Sequence, residues 1–178
     1  MARTSEYQKR QDGNSTVFEV TPAEAPKFLW MVIMGGFACL LGVFTFPCGL
    51  AFLALGGAAI WFGRSYDPRP KAHKQNSSFR VTGEIIEANG QTFKKDDIHR
   101  LIIKNGMSNE VLTGPTVLVP VSGSMAQGMM QRAKVSALAN GLELETGGKA
   151  YLLAGGMDAT TAFGLLTDVS KVIGFKTT

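Results

Sequence analysis

The longest pattern in the chain is an apolar run that lies between two regions of ordinary polarity. Residues 28–63 contain no charged side chain, and Thr45 is the only clearly polar residue among these 36 positions. One helix of that length would measure about 54 Å, well beyond a hydrocarbon core of about 30 Å. Pro47 and Gly49 lie near the middle of the run, and proline cannot continue a helix. The run therefore predicts a transmembrane hairpin, with helices over 28–45 and 48–63.

The flanks of the run carry residues that favour a membrane surface. Trp30 and Trp61 fall at the two outer ends of the hairpin, where indole rings prefer the headgroup level. Basic residues follow the second helix, and this placement predicts that both termini are cytoplasmic. The predicted contacts with the membrane surface are Trp30, Trp61, Arg64, Arg69, Lys71 and Lys74. The expected partner is accordingly a lipid bilayer with anionic headgroups.

Small residues recur every four positions within the run. Ala38 and Gly42 lie in the first predicted helix, and Ala54 and Ala58 lie in the second. Small residues let helix backbones approach closely, so these four are predicted to pack helices together. Packing inside one hairpin is the preferred interpretation and a homo-oligomer is the alternative, while a re-entrant hairpin stays open beside a spanning one. The lack of ionisable side chains in the run argues against a channel, a pump or a proton relay.

The remaining chain alternates between polar connections and short strand patterns. Residues 1–27 have little periodicity and predict a flexible tail, and residues 64–78 predict a basic linker. Alternation begins at Phe79, and Asn89-Gly90 is typical of a two-residue strand reversal. Residues 105–131 are rich in glycine, serine and methionine, and they predict a loop with one short strand at 116–121. Residues 134–138 predict another strand, and the chain closes with an amphipathic helix between an Asp158 cap and a Gly174 stop.

About six or seven antiparallel strands followed by one helix resemble a pleckstrin-homology-like (PH-like) domain. The chain is similar in pattern to bacterial membrane proteins in which a transmembrane hairpin precedes such a domain. Residues 90–101 look like their short strand and polar turn, which lead to Asp97-Ile98 and a hydrophobic Leu101. The resemblance implies a membrane α-helical hairpin plus an α+β soluble domain, with an antiparallel sheet or partly open barrel over 79–178. It also implies a multi-pass protein of the bacterial inner membrane with a scaffold or protein-binding role.

The charge is concentrated in one place. The formal net charge is +4, and residues 64–80 supply all of it with five basic residues against Asp67. A nucleic-acid-binding face would spread basic and aromatic residues over a folded domain, so the sequence argues against a nucleic-acid partner. Both cysteines, Cys39 and Cys48, lie in the apolar run and do not indicate a disulfide framework.

Candidate chemistry is sparse. Asp96, Asp97 and His99 could ligate a metal or move protons, but adjacent acids in a turn are usually solvated, and a catalytic zinc takes three protein ligands. Ser122, Gly123 and Ser124 match neither a nucleophile elbow nor a phosphate-binding loop. The sequence therefore predicts no catalytic residue, no metal and no cofactor.

These observations lead to ranked functional hypotheses. The preferred one is a membrane-anchored, non-enzymatic adaptor or accessory subunit that presents a PH-like domain to a protein partner, for example within an inner-membrane secretion or conjugation assembly. The alternative is a membrane-tethered enzyme with a site near residues 96–99 and the 105–131 loop. A pore built from several hairpins is disfavoured by the uncharged helices.

Overall fold

The computed structural model describes residues 4–45, 49–113 and 126–175, and it describes the side chains of helix residues only from 132 onward in the last range. The chain divides into two compact units. We call Ala25–Pro68 the hairpin unit, and Met1–Glu24 together with Arg69–Thr178 the sheet unit. The hairpin unit is thus inserted into the sequence of the sheet unit.

Two helices form the hairpin unit, α1 at Leu29–Phe44 and α2 at Leu50–Ser65. Their ends lie close to the predicted ends at 28–45 and 48–63. The helices pack together through buried glycines, and the Phe28 amide donates a hydrogen bond of 2.9 Å to the Gly63 carbonyl where the hairpin opens. The predicted turn at 46–48 lies outside the described residues.

The predicted transmembrane hairpin is wrong. Each helix has 16 residues, which corresponds to about 24 Å against a hydrocarbon core of about 30 Å. Among the described residues, no helix combines the length and apolar character needed to cross a membrane. The predicted location, an integral multi-pass protein of the bacterial inner membrane with both termini cytoplasmic, is therefore not supported and is corrected here. The run is long enough in total for two helices, but each helix has only 16 residues, fewer than the roughly 20 that a span needs.

The first sheet of the sheet unit has five antiparallel strands in chain order. The strands are β1 (Glu6–Asp12), β2 (Ser15–Thr21), β3 (Ser77–Val81), β4 (Ile85–Ala88) and β5 (Gln91–Lys94). Residues 1–27 thus supply a strand pair in place of the expected flexible tail. The reason is that Phe18 and Val20 on β2 are buried in the core, and β2 pairs with β3 across the hairpin insertion. The Asn89-Gly90 reversal between β4 and β5 is confirmed, with φ values of 52° and 74°.

The second sheet has four antiparallel strands in the order β7-β6-β8-β9. They are β6 (Ile98–Asn105), β7 (Val111–Leu112), β8 (Asn140–Thr146) and β9 (Lys149–Met157). Helix α3 (Ala126–Ala137) corrects both the predicted loop up to 131 and the predicted strand at 134–138. Helix α4 (Ala159–Ile173) is confirmed, with Asp158 as its cap and Gly174 at φ 77° as its end.

The predicted fold class, a membrane hairpin with a partly open PH-like barrel, is also wrong. The described residues form an α+β fold with two antiparallel sheets and four α-helices. The core of the sheet unit is shared by both sheets and by α4, which contributes Ala162, Leu165, Val169 and Ile173. Phe18 and Phe79 stack within it at 5.4 Å between ring centroids.

Candidate functional site

Exposed apolar side chains are concentrated on the hairpin unit. Fifteen of the sixteen exposed large hydrophobic residues in the described chain lie between residues 29 and 66, and Val111 is the other. We call these fifteen side chains the apolar shell: Leu29, Trp30, Ile33, Met34, Phe37, Leu40, Leu41, Val43, Phe44, Leu50, Phe52, Leu55, Trp61, Phe62 and Tyr66. Contiguous exposed apolar surface of this kind marks an interaction site.

The shell has two different ends. At the turn of the hairpin Phe44 is 83% exposed and Leu50 is 58% exposed. At the open end Trp30 and Trp61 are exposed, and two cations, Lys27 and Arg64, flank the first and last turns of the helices. The helix ends beside the turn therefore expose large apolar side chains, and the opposite end is aromatic and basic.

The predicted membrane-surface residues fall into two groups. Trp30, Trp61 and Arg64 are exposed on the hairpin unit, and Lys71 and Lys74 are exposed on the sheet unit. No observation tests their contact with headgroups, so it stays a prediction.

Arg69 differs from the other predicted surface residues because it is only 5% exposed. Its Nη1 donates hydrogen bonds to the Ala23 carbonyl at 2.9 Å and to the Leu138 carbonyl at 3.3 Å. Both partners belong to the sheet unit, so this guanidinium holds the fold together where the chain returns from the hairpin.

The helix seam is built from glycines at intervals of seven residues. Gly35, Gly42, Gly49, Gly56 and Gly63 are all buried, and a Cβ added at Gly56 would lie 2.5 Å from the Gly35 carbonyl oxygen and from Cys39 Sγ. A seven-residue interval keeps one helix stripe facing its partner.

Of the four predicted packing residues, only Gly42 is buried in this seam. Ala38 is half-buried, and Ala54 and Ala58 are exposed. The seven-residue spacing of the glycines is visible in the sequence, and it predicts the buried seam better than the four-residue spacing does.

The structure does not assemble the predicted acid-histidine cluster into a site. Asp96 and Asp97 lie in an exposed 3-10 turn, and His99 is exposed at the start of β6. No group of three or more metal-ligating side chains occurs in the part of the chain that the structure describes. The serine and glycine motif at 122–124 and Met125 lie outside the described residues.

A cleft of about 450 Å³ opens beside the start of α4. Its polar lining is already bonded internally: the Asn105 amide donates to Asn140 Oδ1 at 2.9 Å and to the Ser136 carbonyl at 2.6 Å. Asp158 accepts hydrogen bonds from Ser5 and from the Thr161 amide and hydroxyl. These groups are committed to the fold, so the cleft presents no free recognition group among them.

Glu143 is a charged residue whose surroundings are apolar. It lies on β8 opposite Ile102 and Leu152, and its Oε2 is buried with no hydrogen-bond partner among the described residues. Burial raises the pKa of Glu143, the nearby Lys104 lowers it and Glu145 raises it further. Burial is the largest of these effects, since it disfavours the charged form of a carboxyl group.

Sequence reasoning missed His73, which is 4% exposed and lies in a 3-10 turn at Lys71–His73. Its ring is enclosed by three glycines of the second sheet and its adjoining turn, Gly106, Gly141 and Gly155, and a Cβ on any of them would lie within 3.0 Å of a ring atom. The three glycines come from separate segments, and no local pattern in the sequence connects them to this histidine.

No protein-family model, curated protein or solved structure matches the chain. The resemblance to bacterial membrane proteins with a PH-like domain therefore stays a prediction.

Proposed function

We propose that this chain is a non-enzymatic adaptor that docks on the surface of a lipid bilayer through its hairpin unit and binds a protein partner through its sheet unit. The observation that carries the proposal is the apolar shell. Burying a large apolar side chain is worth roughly 1.5–3 kcal/mol. Fifteen exposed side chains of this kind therefore strongly favour burial of the shell against another apolar surface. In this proposal the hairpin unit enters the bilayer from one side and does not cross it.

Lipid suits this shell better than a protein surface does. A protein interface is on average only about as apolar as the rest of a protein surface and has a polar rim and direct hydrogen bonds. Between Lys27 and Arg64 the sequence has no charged side chain, and the backbone of α1 and α2 is hydrogen-bonded within the helices. Helices of this kind can enter hydrocarbon without leaving polar backbone groups unpaired.

The open end of the hairpin matches the headgroup layer. Trp30 and Trp61 place indole rings there, and Lys27 and Arg64 place positive charges beside them. Tryptophan prefers the interface, and each nearby cation contributes about 1 kcal/mol of attraction to an anionic surface. This arrangement supports an anionic bilayer as the docking partner.

An exposed sheet edge supports the protein-binding half of the proposal. β1 is the edge of the first sheet, and six of its seven residues are exposed. An edge strand offers unpaired backbone groups to which an extended peptide can add as a further strand. The side chains of β1 are largely charged, which favours a partner of complementary charge over indiscriminate pairing.

Vesicle flotation of the full-length chain tests the lipid contact. We expect the chain to float with vesicles that contain anionic lipid, and Phe37→Asn combined with Phe44→Asn to remain with free protein. The matched control, Phe37→Leu with Phe44→Leu, keeps the surface apolar and should float like the unchanged chain. Flotation of the asparagine variant to the same extent, or failure of the unchanged chain to float, would contradict the docking proposal.

Charge removal at the open end refines the same assay. Arg64→Gln should weaken binding to anionic vesicles about fivefold, as expected for the loss of about 1 kcal/mol, and leave binding to neutral vesicles unchanged. An equal loss on both vesicle types would show that Arg64 acts through folding instead of headgroup attraction.

Affinity capture from vesicle-bound, tagged protein tests the partner. Arg10→Glu reverses an exposed charge on β1 but keeps the Lys9–Asp168 pair, which measures 3.7 Å. We expect a stoichiometric protein to co-purify with the unchanged chain and to be lost with Arg10→Glu. Capture of no stoichiometric protein by either chain would contradict the adaptor role, and equal capture by both would move the binding surface away from β1.

A further inference from the structure

Two connections to the hairpin unit meet at one point of the sheet unit. The Ala23 amide, on the outgoing connection, donates a hydrogen bond of 2.8 Å to the Gly156 carbonyl. On the returning side, residues 69–73 form a segment that we call the return leg. The Gly156 amide donates a hydrogen bond of 3.2 Å to His73 Nδ1, so both connections are fastened to the same residue of β9.

Gly156 has a conformation and surroundings that only glycine fits. Its φ is +77°, and an added Cβ would lie 2.1 Å from the His73 carbonyl oxygen and 2.6 Å from Pro22. Together with the three glycines around the ring, Gly156 forms what we call the glycine cradle: Gly106, Gly141, Gly155 and Gly156. The cradle leaves room for an imidazole ring and for little else.

The hydrogen bond from the Gly156 amide requires a neutral ring. Because Nδ1 accepts a hydrogen bond from the Gly156 amide, it must keep its lone pair, and the ring proton lies on Nε2. The Ala139 backbone acts on the ring in the opposite sense and favours its protonated form. Protonation of Nδ1 would set two N–H donors, that of Gly156 and that of the ring, against each other in a buried space.

Burial of the ring and a neighbouring positive charge also favour the neutral form of His73. Burial and then the positive charge of Arg69 lower the pKa of His73 from its ordinary value of 6.5, and the hydrogen bond to Ala139 offsets part of that change. β8, β9 and the turn after β6 each place a glycine against the ring, namely Gly141, Gly155 and Gly106. Lys74, the next residue along the chain, is exposed and basic.

We propose that His73 is an acid-released clasp: the neutral ring fastens the return leg in the glycine cradle, and protonation expels the ring and frees the return leg. The fold thereby contains a device that loosens the connection to the hairpin unit in mild acid. It is independent of the lipid contact, since every group in the clasp belongs to the sheet unit.

The sign of the effect follows from linkage. A histidine whose pKa is lowered in the folded state contributes its full stability above the unfolded pKa of 6.5, and that contribution falls as the pH drops below 6.5. Within the window between the two pKa values, the equilibrium constant for opening rises by up to about tenfold for each pH unit. Below the lowered pKa the effect reaches a plateau.

Hydrogen exchange of the full-length chain, read by mass spectrometry, tests the clasp. After correction for intrinsic rates, peptides over 69–76 and 152–157 should lose protection severalfold between about pH 7.5 and about pH 5, and peptides over α4 should not. His73→Gln, which does not titrate, should show the same protection at both pH values. His99→Gln is the matched control, because His99 is exposed, and it should respond to acid like the unchanged chain.

A ring titration by NMR keeps the proposal falsifiable if His73→Gln fails to fold. The chain has two histidines, so the signal lost in His99→Gln identifies His99 and leaves His73 assigned. We expect the His73 midpoint to lie below its ordinary value of 6.5, at the pH where the loss of protection over 69–76 levels off. A His73 midpoint at or above 6.5, or unchanged protection in acid, would overturn the clasp.

Discussion

The hairpin unit and the sheet unit place large and small residues in opposite ways. In the sheet unit Phe18 is 0% exposed, whereas in the hairpin unit Phe37 is 59% exposed. The hairpin interior is occupied by glycines at seven-residue intervals, and this close backbone contact leaves its large side chains outside. The sheet unit buries its apolar side chains by itself, but the hairpin unit can bury its shell only against another surface. Apolar composition alone therefore does not show where a core lies.

The largest expected effect is on the sheet-unit core. Phe18→Ala removes a fully buried ring that stacks on Phe79, and it should lower the free energy of unfolding by about 3–5 kcal/mol. Phe37→Ala removes a phenyl ring from an exposed position and should change the free energy of unfolding by less than about 0.5 kcal/mol. Urea unfolding followed by circular dichroism in the strand region measures both. Equal losses of stability in the two variants would mean that Phe37 belongs to a core, and this result would contradict the difference drawn between the two units.

An intermediate effect is expected in the helix seam. Gly56→Ala places a Cβ 2.5 Å from Cys39 Sγ and from the Gly35 carbonyl oxygen, and overpacking of this kind costs about 1–3 kcal/mol. Gly57→Ala, the neighbouring control, meets no atom within 4 Å and should stabilise the helix slightly. Hydrogen exchange over α1 and α2 in the vesicle-bound chain should accelerate only in Gly56→Ala. Matching rates in the two variants would show that the seam is not tightly packed.

A smaller effect is expected at the N-terminal cap of α4, where the Asp158 side chain accepts a hydrogen bond from the Thr161 amide. The hairpin helices α1 and α2 differ from α4 because they have no side-chain cap. Asp158→Ala should lower stability at neutral pH by about 1 kcal/mol. Burial opposes ionisation of Asp158, but hydrogen bonds from Ser5 and Thr161 outweigh it and lower its pKa below 3.8.

The contribution of Asp158 is therefore complete above pH 3.8 and disappears as the pH falls through the lowered pKa. Urea unfolding at neutral pH and in strong acid should show a difference between Asp158→Ala and the unchanged chain only at neutral pH. Asp96→Asn, in an exposed turn, is the control and should show little difference at either pH. A difference that persists in strong acid would rule out the charged cap.

Features with a local cause were predictable from the sequence. Asn89-Gly90 takes the positive φ values that its reversal needs, and Asp158 and Gly174 begin and end α4 through their own chemistry. The ends of both hairpin helices were placed within about two residues, since Pro47 and Gly49 interrupt the apolar run. The error was to interpret helices of this length as transmembrane spans, since each has only 16 residues.

Features that depend on distant partners were not predictable. β1 consists mostly of exposed polar residues, so its local pattern is typical of a tail, and its strand character depends on pairing with β2. β2 in turn pairs with β3 across the whole hairpin insertion. Arg69 was assigned to a surface because it is charged, yet its partners Ala23 and Leu138 lie far away in the sequence. The glycine cradle of His73 is assembled from separate strands and turns in the same way.

Tryptophan fluorescence tests the central claim, the lipid contact of the apolar shell, most directly. The chain has two tryptophans, Trp30 and Trp61, and both are exposed on the hairpin unit, so their emission reports on that unit alone. With anionic vesicles we predict a blue shift and stronger quenching by bromine near the headgroups than by bromine near the bilayer centre. An emission spectrum that stays unchanged when the vesicles are added would contradict the account.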